Sequence, residues 1–410
     1  MTAIVERALL NRVDVQITDT ASAFILGSSW LDGGAKLGAS GSAPWRSVTA
    51  KVTNITSRRG GVREGITIRN KPGMLSITLR DTLPDPRNSP YNLDMPMRLC
   101  VNVGTVAAPV WHPLFTGRIR DVASQQVAMP HGPPEYFTTV TVLDAVASHD
   151  EITRYGAMPP TGYESFTARI ERLAQSAVEA VEPPIAAQFS AGLLGRTVFE
   201  SSLSNHFTLA ANSVGAWWYV DANNRTRFAP LRYDSTNPVW FSDRGTARFG
   251  VPLPPGTLHY LTETPDSGTS AQITAVVFRI KGATPNPDDP DAWIATETED
   301  VRTPATDPLR WFGRRDVIVE CVENSFGVLP APAVSAYGYS WDNMLRSITW
   351  NAQEDLSALP RLDVGKSIYL TRTGLPYLAT RSTQFNYLII GVQHTITPTR
   401  WITTLDLMGV

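Results

Sequence analysis

The closing stretch YLIIGVQHTITPTRWITTLDL, residues 387–407, predicts two apolar-rich strands that flank a turn at Thr397-Pro398. In the second strand the side chains alternate with a period of two, which is typical of a strand with one buried face and one wetter face. The buried set is Trp401, Thr403, Leu405 and Leu407, and the wetter set is Ile402, Thr404 and Asp406. Because this hairpin carries so few charges, we expect it to pack on a β-barrel core, and no ligand is needed to explain it.

The composition predicts a soluble globular protein. The chain has 410 residues, 42% hydrophobic and 18% charged, so it should bury a large core and divide into two or three domains. No run of about 18 apolar residues predicts a membrane span, and Glu6, Arg7 and Arg12 interrupt the place where a signal peptide needs its apolar core. A net charge of −2 argues against a protein that grips phosphate backbones, so any contact with nucleic acid should be transient.

Strand signals fill the first 145 residues. Turn sequences at Gly60-Gly61, Pro72-Gly73 and Pro84-Asp85-Pro86 separate several of them. The predicted strands are 13–17, 48–52, 76–79, 98–101 and 139–142. This pattern predicts an all-β first domain.

Helical spacing begins near residue 160. Thr161 and Glu164 have the spacing of a capping box, in which hydroxyl and carboxylate each satisfy a free backbone donor. A helix is predicted to follow and to end at Pro183-Pro184. Its apolar face consists of Phe166, Ile170, Leu173, Ala174 and Ala177.

A second helix and a hairpin complete a small α+β unit. The helix is predicted over 205–213 and stops at Gly215. The stretch WWYVDANNRTRFAPL, residues 217–231, predicts a hairpin that turns at Asn223-Asn224.

Strands return after residue 236. They are predicted at 273–280, 316–322, 346–350 and 367–371, and in the closing pair. The proline-rich stretches 252–257 and 284–291 predict exposed loops, and 330–344 predicts a helix despite Gly338 and Ser340.

Four segments of the first domain recur, in order, in the last part of the chain. The matches are MLSITL (74–79) with MLRSITW (344–350), LDM through Leu99 (93–99) with LDV through Ile368 (362–368), FTGRI (115–119) with IIGV (389–392), and FTT through Asp144 (137–144) with WITTLD (401–406). Convergent composition could explain any one match, since Thr, Val, Ile and Leu recur in every β protein. Four matches in one order favour two copies of one β-fold, with the terminal hairpin closing the second.

The first domain carries a further ordered series of landmarks: WRSVT (45–49), Arg59-Gly60, Pro72-Gly73 before LSITLRD (75–81), NLDMPMRL (92–99), PLFTGRI (113–119) and TVLD (141–144). The hairpin unit adds GAWWYVD (215–221) and RFAP (227–230). In this order they resemble the baseplate-hub or minor tail proteins of tailed phages, particularly long-tailed phages of actinobacteria. No single motif is specific, and the resemblance is weakest over 236–340.

The resemblance implies a fold and a set of partners. It implies a mainly β (α+β) chain with two related tail-tube-like barrels at 1–148 and 236–410 and an inserted α+β domain at 149–235. It further implies a non-enzymatic homotrimeric hub of the phage tail tip, which adapts a hexameric tail tube to a threefold centre and forms part of the DNA channel. The implied partners are the tail tube or distal tail protein, the tape measure protein and other tail-tip or fibre proteins. The implied location is the virion tail, after assembly in the host cytoplasm.

Sequence motifs for chemistry are weak. A GxSxG nucleophile elbow does not occur, and DVGKS at 363–367 lacks the first glycine of a phosphate-binding loop because Pro360 stands there. The acidic loop with Asp288, Asp289 and Asp291 lacks EF-hand spacing. The histidines are scattered without metal-binding spacing: His112, His131, His149, His206, His259 and His394.

These observations predict no catalytic residue, no cofactor and no metal site. Cys100 and Cys321 are expected to be buried free thiols. Two alternatives stay open. The 11 tryptophans and 12 tyrosines would suit a carbohydrate-binding or glycoside-hydrolysing β protein, although Trp217-Trp218 beside a helix end favours a core or interface role. An unrelated all-β capsid or scaffold protein is the other.

Overall fold

Strands dominate the computed structural model of the chain, which describes residues 10–18, 45–64, 67–81, 91–105, 107–128, 135–189, 192–231, 238–243, 247–248, 251–265, 275–302, 316–325, 345–371 and 384–409. Within these residues, fourteen strands join in one sheet. The mainly β class predicted from the sequence is confirmed. The helix predicted over 330–344 lies outside the described residues.

The first barrel is built from the N-terminal strands. They are β1 (Val13–Thr18), β2 (Trp45–Ser47), β3 (Val52–Glu64), β4 (Thr67–Asn70), β5 (Met74–Asp81), β6 (Pro96–Asn102), β7 (Trp111–Val127) and β8 (Glu135–Leu143). Six of them lie side by side in the antiparallel order β1-β6-β7-β8-β5-β3. The alternation predicted from the sequence holds, since Val13, Val15 and Ile17 of β1 point into the core.

β1 and β3, the two ends of this row, are not described as paired strands, and hydrogen bonds close the barrel between them. The Val48 amide donates to the Val15 carbonyl oxygen at 2.8 Å, and the Val15 amide donates to Thr49 Oγ1, also at 2.8 Å. The prediction of a strand over 48–52 is therefore wrong, because Thr49–Lys51 form a 3-10 turn that follows β2, lies beside β1 and leads into the start of β3.

A small α+β unit follows the first barrel. Its elements are α1 (Ala145–Glu151), β9 (Thr153–Ala157), β10 (Tyr163–Ser165), α2 (Phe166–Ala174), β11 (Leu193–Gly195), β12 (Thr197–Ser202), α3 (Leu203–Asn212), β13 (Ala216–Val220) and β14 (Thr226–Pro230). It has its own hydrophobic core, in which Phe207 packs edge-on against both Trp218 and Phe228. The predicted second helix is confirmed as α3, and the predicted hairpin as β13–β14, with Asn224 at a φ of 63° in its turn.

The predicted capping box at the start of α2 is wrong. Ser165 is the N-cap, and its side chain accepts from the Ala168 amide at 3.2 Å. Glu164 points inward instead, where it pairs with Arg169 and Arg172.

The end of α2 also differs from the prediction. The helix stops at Ala174, well before Pro183-Pro184, because the amides of Ser176 and Ala177 each bond to the carbonyl three residues earlier and so tighten the chain out of the helix.

The second barrel uses the C-terminal strands. The elements after residue 238 are β15 (Val239–Ser242), β16 (Ala247–Arg248), β17 (Val251–Pro252), β18 (Leu258–Pro265), β19 (Ala275–Asn286), β20 (Asp289–Arg302), β21 (Asp316–Val322), β22 (Leu345–Asn351), β23 (Ser367–Thr371), β24 (Gln384–Ile396) and β25 (Trp401–Gly409). Strand pairing closes the ring β15-β18-β22-β25-β24-β23 completely. The predicted closing hairpin is β24–β25, and Trp401, Leu405 and Leu407 lie fully buried in this barrel. Further 3-10 turns are Leu10–Arg12, Ala186–Gln188, Ala352–Glu354 and Leu356–Arg361.

A separate three-stranded sheet projects from between β18 and β22. Its order is β20-β19-β21, and it packs on the α+β unit, where the Gly195 amide donates to the Glu323 carbonyl oxygen at 2.7 Å. The sequence predicted β19 and β21 but missed β20. The predicted exposed loop over 284–291 is the tip of the β19–β20 hairpin together with the strand residues beside it.

The internal repeat is confirmed at the level of topology. Strands β3, β5, β6, β7 and β8 correspond to β18, β22, β23, β24 and β25, in the same chain order and with the same antiparallel neighbours. Both barrels also share two irregularities. β7 has a bulge at Arg120 opposite β8, and β24 has one at Ile390 opposite β25. β3 shifts register against β5 after Val52, and β18 shifts register against β22 after Tyr260. Shared bulges indicate a common ancestor more strongly than shared composition does.

The residue matches proposed from the sequence need correction. Aligned on the bulges, Ile119 corresponds to Ile389 and Asp121 to Gly391, so Gly117 does not correspond to Gly391. Asp406 lies opposite Ser347 as Thr141 lies opposite Ser76, so it is not the counterpart of Asp144.

The residue with positive φ before β6 and before β23 also differs from the sequence alignment. It is Asp94 in the first barrel and Gly365 in the second, and each donates its amide to the isoleucine at 119 or 389. The first strand differs as well, because β1 runs antiparallel to β6 whereas β15 runs parallel to both of its neighbours.

Candidate functional site: the seam between the barrels

The two barrels are joined edge to edge by β3 and β24. Six residues of each strand pair antiparallel, from Ile55 opposite Ile396 to Gly60 opposite Gly391. This stretch of β24 lies beyond the end of β23, so its outer edge is free to accept a strand from the other barrel. The result is one continuous sheet through both barrels instead of two domains on a flexible linker.

Glycine is required where the strands come closest. Gly60 has a φ of +92°, and a Cβ on it would lie 2.2 Å from the Ile390 carbonyl oxygen. A Cβ on Gly391 would lie 2.8 Å from Asp406 Oδ2 and 3.0 Å from the Gly61 carbonyl oxygen. The sequence marked Gly60 as a turn residue, but it lies inside a long strand and permits the crossing of two barrels.

One buried arginine connects all three units at the seam. Arg59 of β3 is 4% exposed; its Nε donates to the Leu114 carbonyl oxygen of β7 at 2.7 Å. Its guanidinium also donates to the Val220 carbonyl oxygen of β13 at 3.4 Å and pairs with Asp363 Oδ1 before β23. Since the partners belong to the first barrel, the α+β unit and the second barrel, this side chain fixes their mutual positions.

The groups around this arginine are neutral or weakly ionised. Burial, and then the charge of Asp363, raises the pKa of the Tyr219 hydroxyl. Burial lowers the pKa of His112, and it lowers the pKa of His394 to about 3. Arg59 with Asp363 is therefore the buried charge pair of the junction, while Arg58 and Asp406 form a second, more exposed pair across the same seam.

His394 lies in the core of the second barrel. It lies in β24, 3% exposed, with its Nδ1 2.9 Å from Thr403 Oγ1. The equivalent pair in the first barrel is Ser124 with Thr138, whose hydroxyls are 3.2 Å apart. The same cross-strand hydrogen bond therefore recurs in both copies with different residues.

The other residues singled out from the sequence do not gather into a chemical site. In the acidic loop, Asn286 Oδ1 and Asp289 Oδ1 accept from the Asp288 and Asp291 amides at 3.0 and 3.1 Å, as turn residues do. Among the described residues, no three His, Cys, Asp or Glu side chains lie close enough to hold a metal ion. His131 lies outside the described residues.

Both cysteines are free and buried, which confirms the prediction. Burial raises the pKa of Cys100 to about 11 and of Cys321 to about 12, so neither thiol is ionised at neutral pH. In DVGKS, a strand follows the glycine, and no helix N-terminus is formed to receive a phosphate.

A cleft of about 410 Å³ lies between β4, α3 and β21. Its aromatic lining residue is Trp218, which is 1% exposed. Two lining carboxylates are already paired, Asp150 with the Ser204 hydroxyl and Glu320 with Lys281 at 3.0 Å. Sugar binding needs exposed ring faces, and this cleft does not present one. No helix in the described part of the chain is both long and apolar enough to cross a bilayer.

Sequence reasoning missed the role of Arg59 and Asp363, although Arg59 precedes the conspicuous Gly60-Gly61 and Asp363 lies in a segment of the internal repeat. A signal was present in β3, where Ile55, Ser57, Arg59 and Gly61 share the buried face. A buried arginine needs a carboxylate and several acceptors. Which residues supply them depends on the crossing of the barrels, so the sequence pattern alone does not name Asp363.

Comparison with known proteins supports the fold. No protein-family model and no curated protein matches the sequence. Among solved structures, the tail protein from Neisseria meningitidis MC58 is similar with a TM-score of 0.53 and 11% identity, over 96% of each chain. The 43 kDa tail protein of prophage MuSo2 from Shewanella oneidensis is similar with a TM-score of 0.52 and 9% identity, over 97% of this chain and 98% of that one. The chain therefore has the fold of these two tail proteins, which confirms the resemblance found in its sequence.

Proposed function

We propose that this protein is a structural subunit of a phage tail tip, in which three copies form a closed hub. The observation that carries the proposal is the β3–β24 seam, where two barrels of one topology are joined edge to edge within a single chain. The fold shared with two phage tail proteins supports the tail as its location.

The seam joins two different kinds of barrel edge. It uses β3 of the first barrel and β24 of the second, and these strands occupy different positions in the repeat. A junction between unlike edges is heterologous, and repeating it head to tail generates a ring when the rotation closes. Three chains with two barrels each would offer six barrels, which matches a threefold tip to a hexameric tail tube.

The remaining parts of the proposal follow from that ring. Its two faces would bind the tail tube or distal tail protein on one side and tip or fibre proteins on the other, with the tape measure protein and DNA passing through the centre. A net charge of −2 leaves no large surplus of Lys and Arg for a basic lumen. We expect a near-neutral or acidic wall, which would let DNA leave without retention by counterion release.

The proposed role is not enzymatic. The alternative of a carbohydrate-binding or glycoside-hydrolysing protein gains no support from Trp217 and Trp218, which are 4% and 1% exposed and so present no ring face to a sugar. The acidic and histidine residues named from the sequence are turn, core or surface residues in the described part of the chain.

The mass of the purified protein tests the hub. We expect native mass spectrometry or light scattering to give three times the chain mass of 44.9 kDa, and cryo-EM of the tail tip to show three copies around a weakly charged channel. A protein that stays monomeric at high concentration, or that occupies the tip in six copies, would refute the trimer. Specific binding to a cell-wall polysaccharide would favour the alternative.

A further inference from the structure

We infer that the outer edge of β7, at Gln125 and Gln126, is the acceptor for the end of β18, at Glu263 and Thr264, of a second copy of this chain, paired as β24 and β3 are paired within the chain. This inference rests on the proposed hub and names the surface through which the hub would close.

The acceptor edge is defined by the repeat. β7 pairs with β6 through Trp111–Arg118 and with β8 through 118–127. β24 pairs with β23 and β25 in the same layout. Its residues 391–396 pair with β3 along the edge that β23 occupies only as far as Leu388. The counterpart of that part is 121–126, and no strand among the described residues pairs with it on this side.

Burial differs between the two equivalent edges. In β24, Gly391, Val392, His394 and Ile396 are buried. In β7, the corresponding Asp121 and Gln126 are exposed, as are Ala123 and Gln125 between them, while Val122 and Ser124 are half-buried. An unpaired, exposed strand edge is a template for pairing with another chain.

The donor edge is defined in the same way. β3 pairs with β5 on one side, and β18 pairs with β22 on the equivalent side with the same register shift. On the other side, β15 contacts only Leu258 and His259, the start of β18. Thr264 is exposed at the end of the strand, and Leu261 and Thr262, which lie just before the counterpart of the paired stretch, are exposed as well, Leu261 to 53%.

The internal seam fixes the register of the external one. Thr56 lies opposite Thr395 in the chain. Thr264 is the counterpart of Thr56, since they lie opposite Ser347 and Ser76, and Gln125 is the counterpart of Thr395, since they lie opposite Phe137 and Ile402. Thr264 of one copy should therefore lie opposite Gln125 of the next.

Cysteine crosslinking tests this register. Opposite residues of antiparallel strands lie within disulfide range, so the variant Gln125→Cys/Thr264→Cys should oxidise to covalent dimers and trimers on a non-reducing gel. Thr56→Cys/Thr395→Cys is the matched control, and it should oxidise within one chain without change of oligomer size. The native thiols do not interfere, because both are buried.

The outcomes separate this inference from the hub itself. If the protein is a trimer by light scattering and the control pair oxidises, but the test pair yields only monomers, the assigned edges are wrong and the hub survives. If the protein is monomeric under all conditions, both proposals fail.

A second pair of variants measures the donor edge without crosslinking. Leu261→Asp should dissociate the trimer at least tenfold more readily, whereas Val178→Asp, at an apolar side chain that is 69% exposed on the α+β unit, should leave its mass unchanged. Equal effects of the two changes would overturn the assignment.

Discussion

Removing Arg59 should separate the barrels more than any comparable change on the same strand. Arg59→Met deletes a buried cation with three partners in three units. It leaves two carbonyl oxygens without their donor, at about 1–3 kcal/mol for each buried group, and it leaves Asp363 with the Val364 amide at 2.7 Å and partial exposure. We expect a loss of about 3–5 kcal/mol, the range for breaking a buried ion pair.

Arg58→Met is the matched control. Arg58 is the neighbouring residue on β3 and also forms an ion pair across the seam, with Asp406 at 3.2 Å, but its side chain is 37% exposed. Exposed pairs contribute about 1 kcal/mol or less. Burial is thus the variable that distinguishes two otherwise similar substitutions.

Urea unfolding followed by tryptophan fluorescence provides the measurement, together with limited proteolysis of the native protein. Three packed units can unfold in more than one step, so the midpoint of the first transition is compared among variants. Asp363→Asn and the double variant complete a cycle, in which the double change should cost less than the two single changes together. The account of the junction is wrong if Arg59→Met is no more destabilising than Arg58→Met. It is also wrong if the stability losses of Arg59→Met and Asp363→Asn simply add in the double variant.

Three further outcomes are expected. Gly60→Ala should lower stability by about 2–4 kcal/mol in thermal unfolding, whereas Gly162→Ala, also at positive φ but with nothing within 4 Å, should cost only the backbone strain of about 1–2 kcal/mol; equal costs would remove the case for close approach. Asp144→Asn should stabilise the protein at pH 7 by up to about 3 kcal/mol and have no effect below about pH 4. Burial raises the pKa of this carboxyl to about 6, so the native state holds the proton more tightly than the unfolded state and loses stability as pH rises through 6. Denaturant midpoints measured across pH test this, and a loss of stability at pH 7 would contradict it. Asp288→Ala/Asp289→Ala, at exposed turn positions, should leave assembly and infectivity unchanged in plaque assays, and normal particles without infectivity would contradict it.

Local rules predicted the strands well because each strand here satisfies a local requirement. The alternation in β25 and the apolar run in β24 belong to one barrel and its core, and that pattern is independent of distant contacts. The same rules failed at Glu164, where a surface cap was expected but Arg169 and Arg172 draw the carboxylate inward. β20 was missed because its Pro290 and its acidic residues contradict strand propensity, although pairing with β19 from Trp293 to Arg302 overrides that preference.

The repeat was visible in the sequence, but its register was not. Short apolar segments can be shifted by two to four residues without loss of apparent similarity, and only the bulges at Arg120 and Ile390 fix the alignment. The site followed the same rule. Gly60 and Arg59 could be noticed in the sequence, whereas their partners Gly391 and Asp363 lie more than 300 residues away and are brought together only when the two barrels pair.

The contrast between the two edges gives a physical reason for their divergence after duplication. The β24 edge is covered as soon as the chain folds, so it can carry Val392 and Ile396 without exposing them to solvent. The β7 edge would be covered only on assembly, and a free chain with apolar residues there would pair indiscriminately. The polar side chains of Asp121, Gln125 and Gln126 keep that edge solvated before assembly. On this reasoning, replacing Gln126 by Ile, the residue at the equivalent site of the covered edge, should increase aggregation of dilute protein without strengthening the trimer, because Gln126 would lie opposite Glu263, the counterpart of Ile55. Light scattering of dilute protein and trimer dissociation measure the two effects, and unchanged aggregation would refute the role assigned to this edge.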